Sequence, residues 1–202
     1  MNSLEDLLGT AAGGFAREQI GQNLGADNST VNNAIQIALP MILGELQNKA
    51  RDPQGAASIN GALEKDHDGS LLDQLGDYLQ GGVPAPQNAD RQTDGTGILG
   101  HILGNAGGPV AKEISKRTGL NAGQAANLLI TLAPIVMAYL GKQKRETDVG
   151  AGGLSDLIEG QAGLDAASGG SILDLATGAL DKDGDGSALD DLASMAADYF
   201  MK

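Results

Sequence analysis

Apolar residues recur along this chain at helical spacing, and the same pattern occurs twice. Residues 28–47 carry Val31, Ala34, Ile35, Ile37, Ala38, Leu39, Met41, Ile42 and Leu46, which leaves little polar face. Residues 122–141 repeat the pattern, with an apolar stretch from Ala125 to Leu140 broken by Asn127 and Thr131. A helix that is apolar on nearly every side lies in a core or in a membrane. These runs fall short of the roughly 20 residues that a membrane span needs. A buried central helix is therefore expected in each half, kinked at Pro40 and Pro134. Gly25 and Gly119 read as glycines that end a preceding helix, and Asp27 and Asn121 as N-caps that open the next.

The repetition extends beyond these helices. Gly25 and Pro40 recur 94 residues later as Gly119 and Pro134, and the same offset carries Ile20 onto Ile114. An acidic string, GALEKDHDGSLLDQL from Gly61, returns 117 residues on as GALDKDGDGSALDDL from Gly178. The second copy thus holds about 23 extra residues, assigned to 142–170. Residues 81–97, GGVPAPQNADRQTDGTG, have the composition of a linker. The expected fold is all-α, with two duplicated small helical bundles at 1–80 and 98–202. Each bundle carries an acidic loop, 64–73 or 181–191, between its last two helices. Ser70 and Ser187 are each followed three residues on by Asp73 and Asp190, a capping-box spacing that starts the final helix. Leu72, Leu75 and Leu79 form its apolar stripe in the first copy, and Leu189, Leu192, Ala196 and Tyr199 in the second.

An acidic loop between two helices is the setting of an EF-hand, where loop positions 1, 3 and 5 supply side-chain oxygens to calcium. Position 6 is Gly, and position 7 gives a carbonyl. Asp181, Asp183 and Asp185 occupy 1, 3 and 5 of the second loop, followed by Gly186 and Ser187. Glu64, Asp66, Asp68, Gly69 and Ser70 take the same places in the first. Position 12, the bidentate Glu of an EF-hand, is Leu192 or Leu75. The closing carboxylate is therefore assigned to Asp190 and Asp73 at position 10, with Asp191 as a helper. Two calcium sites are expected, the second tighter, because Glu64 is longer than Asp and His67 adds a potential positive charge. His67 is expected on the surface. The bland reading is that each loop is a solvated acidic turn capping a helix.

Composition narrows the partners. The net charge of −13 disfavours nucleic acid and anionic lipid. There is no Cys, which removes thiolate metal sites and Cys nucleophiles. The two histidines, His67 and His101, have no visible catalytic companion, and His101 falls on a short apolar helix. The glycine pairs at 13–14, 107–108 and 152–153 read as breaks between helices, and Lys142, Lys144 and Arg145 as a charged helix C-terminus. Residues 1–14 have no basic segment or long apolar run, so a cytoplasmic location is the default expectation, with periplasmic or extracellular locations as alternatives.

The loops resemble shortened EF-hand-like loops such as those of excalibur domains, where an acid at position 10 follows DxDxDG. The chain as a whole resembles a bacterial domain-of-unknown-function family related to YidB-like proteins. That likeness rests on Leu7-Leu-Gly9, Gly97-Ile-Leu-Gly-His-Ile-Leu-Gly104, Leu132-Ala-Pro-Ile135 and the acidic run Asp181 to Leu192. It implies a helical bacterial protein and brings no catalytic residues with it. The leading expectation is a non-enzymatic, calcium-stabilised scaffold that self-associates or holds a protein partner. The rivals are a membrane-acting protein that inserts its apolar helices, and a hydrolase using a calcium-linked acid.

Overall fold

Asp27 accepts the amides of Ser29 and Thr30 and opens a helix over Asn28–Ala50. Asn121 does the same for Ala122–Thr147, accepting the Gln124 amide at 2.9 Å while the Gln124 side chain accepts the Asn121 amide at 2.9 Å. Gly25 and Gly119 precede these caps with φ of 64° and 82°, the left-handed turn that lets one helix stop before the next begins. The sequence predicts all four positions. The computed structural model describes residues 11–81 and 89–161, and this part of the chain is all-α.

Ten helices follow in order among the described residues: α1 (Ala11–Leu24), α2 (Asn28–Ala50), α3 (Pro53–Lys65), α4 (Ser70–Asp73), α5 (Leu75–Leu79), α6 (Ala89–Thr93), α7 (Gly95–Leu103), α8 (Gly107–Thr118), α9 (Ala122–Thr147) and α10 (Leu154–Gln161). Short 3-10 turns at Gly104–Ala106 and Ala151–Gly153 lead into α8 and α10. Both α2 and α9 continue through their prolines. One lost hydrogen bond is outweighed where the flanking turns are packed.

Among the described residues, one hydrophobic core holds the long helix of each copy of the repeat. Leu39, Ile42 and Leu46 of α2 lie in the same buried cluster as Leu128, Leu129 and Leu132 of α9. Helices α7 and α8 pack on α9, α3 and α10 pack on α2, and α8 reaches both long helices. The sequence repeat therefore does not divide the described residues into two bundles with separate cores. The physical reason is in the helices themselves: apolar on nearly all sides, each needs more neighbours than the short helices of its own copy supply. Residues 89–97, read from composition as linker, contribute α6 and the first turn of α7, and Gln92 and Gly95 are buried.

Two further expectations change. Of the extra residues at 142–170, those described extend α9 and form α10, whose Leu154 and Ile158 are fully buried. Gln47 of α2, itself 6% exposed, donates to Glu159 of α10 at 2.8 Å. The final helix of the first copy is broken at Gln74 into α4 and α5, and its buried residues are Leu71, Leu75 and Leu79, with Leu72 half-buried. Helix α9 is long and apolar enough to cross a membrane, but 67% of its most apolar window is buried against the rest of the protein.

A candidate metal centre and the cleft beside it

The first acidic loop connects α3 to α4 and lies against the C-terminal end of α9. Two glycines make this approach possible. Gly69 has φ of 89°, and a Cβ on it would stand 2.9 Å from Cβ of Lys142. A Cβ on Gly141 would run into the carbonyl oxygen of His67. The loop backbone thus touches the helix surface at two points where only glycine fits.

Its carboxylates then part ways. Glu64, predicted as the first loop ligand, sits in the last turn of α3. Its Oε1 accepts from Lys144 Nζ at 2.9 Å and from Asn60 Nδ2 at 3.0 Å. These bonds, the lysine's first, hold the carboxyl below its usual range. Asp66 stands 3.7 Å from the guanidinium of Arg91 on α6. Asp68 turns back on Ser70, accepting the backbone amide at 3.0 Å and the hydroxyl at 2.5 Å through Oδ1. Its Oδ2 lies 3.8 Å from Arg145. The Ser70 hydroxyl is the main reason the Asp68 carboxyl also lies below its usual range. Asp73 ends α4 on the exposed side. Ser70 is not an N-cap: Gly69 holds that position, and the Ser70 hydroxyl donates to Asp68.

Among the described residues no three His, Asp or Glu side chains stand close enough together to hold a metal ion. Calcium takes six to eight oxygens, and the donors of the first loop, as arranged, do not converge to supply them. Lys144, Arg91 and Arg145 approach the acids individually. The second loop's Asp181, Asp183, Asp185, Ser187, Asp190 and Asp191 lie outside the described residues.

Sequence reasoning missed three parts of this site. It treated Lys142 to Arg145 as a helix end and not as the partner of the loop, although this is a rare basic cluster in a strongly acidic chain. It left Arg91 in a linker. It also predicted an exposed His67, whereas this residue is 4% exposed and its Nδ1 has no hydrogen-bond partner. Burial pushes the imidazole down to about 4, against the opposing pull of Asp66 and Asp68.

His67 also lines a cleft of about 560 Å³ between α3 on one side and α6 with α7 on the other, with Met137 of α9 beneath. His101 lies on the α7 wall, its Nε2 3.3 Å from Ser58 Oγ of α3. Partial burial and the Lys49 ammonium lower its pKa. The cleft exists because the facing surface of α3 carries Ala57, Ser58, Gly61 and Ala62, all small.

Residues 6–143 match a family described as a bacterial protein of unknown function, DUF937. No curated protein and no solved structure matches the chain.

Proposed function

We propose that this chain, which belongs to the DUF937 family of bacterial proteins of unknown function, is a non-enzymatic helical scaffold whose acidic loops are joints and whose calcium, bound mainly at 181–191, is structural. The observation that carries this reading is the docking of loop 64–73 onto the end of α9. Its carbonyl at His67 and its turn at Gly69 are fitted to Gly141 and Lys142, and its acids meet Lys144 and Arg145. A segment wired in this way joins helices and presents no open set of reacting groups. The loop's turn also supports the EF-hand-like reading of the string, with Gly69 left-handed at position 6 and Asp68 folded onto position 7. The likeness to YidB-like proteins, to excalibur-type loops and to a duplicated pair of helical bundles belongs to this same proposal.

The two loops differ within it. Calcium at Glu64, Asp66, Asp68, Ser70 and Asp73 has to displace Lys144, Arg91 and Arg145, so occupancy there is weak. The ligands of the tighter site are Asp181, Asp183, Asp185, Ser187, Asp190 and Asp191. A bound ion at 100 times its dissociation constant adds about 2.7 kcal/mol of stability, a large gain for a chain with 2% aromatic residues. Protein partners or self-association remain the reading for the surface, in the cytoplasm or outside it.

Calorimetric titration of chelator-treated protein with calcium tests the proposal. One tight site lost in Asp185→Ala and kept in Asp68→Ala is expected, with a weaker site that strengthens when Lys144 and Arg145 are replaced by Ala. No calcium binding up to millimolar concentration overturns it and reduces both strings to helix-joining turns. The membrane alternative predicts flotation with lipid vesicles, which burial of most of the α9 apolar window disfavours.

A further inference from the structure

We infer that the cleft between α3 and α6–α7 is a binding site for a short aliphatic peptide with free termini. Its volume of about 560 Å³ falls within the ~300–1,000 Å³ of small-molecule sites. Three features point to an occupant. The first is His67. An imidazole 4% exposed with an unpartnered Nδ1 forgoes a hydrogen bond that a buried polar atom ordinarily makes. His67 also lines the cleft, so a peptide N–H or C=O seated there restores that bond once the covered ring nitrogen turns toward it.

The second feature is the charge of the lining. Lys65 and Arg91 stand with Asp66 and Asp94, so the walls offer both signs within one cleft. Arg91 is 77% exposed and holds Asp66 only at 3.7 Å, beyond hydrogen-bond length, so a free carboxylate competes for it. Asp94 uses one oxygen to cap α7 through the Gly97 amide at 2.9 Å, which leaves the other for an ammonium. The third feature is the floor. Ala62, Ile98 and Met137 are apolar, and Gly61 opens onto space in which an added Cβ meets nothing within 4 Å. A zwitterion with an aliphatic side chain matches all three. No part of this depends on calcium.

The test uses the full chain and L-alanyl-L-leucine, with its N-acetylated, C-amidated form as the uncharged comparison. Imidazole resonances of His67 are followed by NMR and affinity by calorimetry. Binding with a shift at His67 is expected. It should weaken about tenfold, some 1.4 kcal/mol, on capping the termini or in Arg91→Ala. Gly61→Leu fills the cleft from a helical position that tolerates a side chain, so it should abolish binding while circular dichroism stays unchanged. Absence of any His67 shift at millimolar dipeptide overturns the inference, as does binding that survives Gly61→Leu. Equal binding of the capped peptide overturns the zwitterionic ligand.

Discussion

Helices α2 and α9 are two copies of one design set to different tasks. Counted at the 94-residue offset, Asp27 matches Asn121, Pro40 matches Pro134 and Leu46 matches Leu140. The caps work alike and both leucines are fully buried. At the very next residue the copies diverge. Gln47 in α2 reaches Glu159 of α10, whereas Gly141 at the equivalent place in α9 admits the carbonyl of His67. Beyond it α2 ends at Ala50, while α9 continues through Lys144 and Arg145 to Thr147. A duplicated helix keeps what it encodes locally and changes what it touches, because caps depend on residues nearby and packing depends on what the rest of the chain brings up.

The largest effects should fall where the copies agree. Leu46→Ala and Leu140→Ala each remove a fully buried side chain from the shared core. Each is expected to cost roughly 2–5 kcal/mol in urea unfolding, and both should lower one cooperative transition. Two separate transitions would break the shared-core description.

Acid comes next and acts on the α9 side. Burial holds the His67 imidazole at about 4 in the folded chain, below its ordinary 6.5. Protonation thus favours the unfolded chain: stability is full above about pH 6.5 and falls as pH drops from there toward 4, by on the order of 3 kcal/mol. Below that window the lowered carboxyl of Asp68 gives up its own contribution as it protonates. Urea midpoints measured across this range should lose the higher-pH slope in His67→Leu.

Exchanging the divergent residues sharpens the comparison. Gly141→Gln drives a side chain into the loop backbone and is expected to cost about 3 kcal/mol. Gln47→Gly loses one hydrogen bond and some helix propensity, about 2 kcal/mol. Amide exchange should quicken around residues 66–70 in the first variant and around Glu159 in the second. The smallest effect is expected from Lys144→Ala. Its pair with Glu64 is solvent-facing on the acid's side, so the change should appear as a modest, salt-sensitive loss of protection in the loop.

Much of the described fold is legible in the sequence where the signal is short-ranged. The N-caps, the glycines before them, the two apolar helices and the position of His101 on a short helix all follow from residues within a few places of each other. The break at Gln74 is less legible, because Gln is an ordinary helix former and no side chain caps the piece that follows it. The candidate site was legible only as a string of acids. What those acids meet lies 77 to 80 residues away on α9 or 25 away on α6, and nothing in the string specifies it.

The sequence by itself determined an all-helical chain, its internal repeat, where the two long apolar helices start, and the two loops rich in carboxylates. Those properties rest on side-chain spacing and on hydrogen bonds closed within a single turn. The tertiary structure alone decided that, among the described residues, α2 and α9 share one core, that the first loop's acids are met by side-chain cations, and that a buried imidazole faces a cleft. Each of those outcomes depends on long-range packing, in which a glycine or a lysine acquires its role from the segment pressed against it.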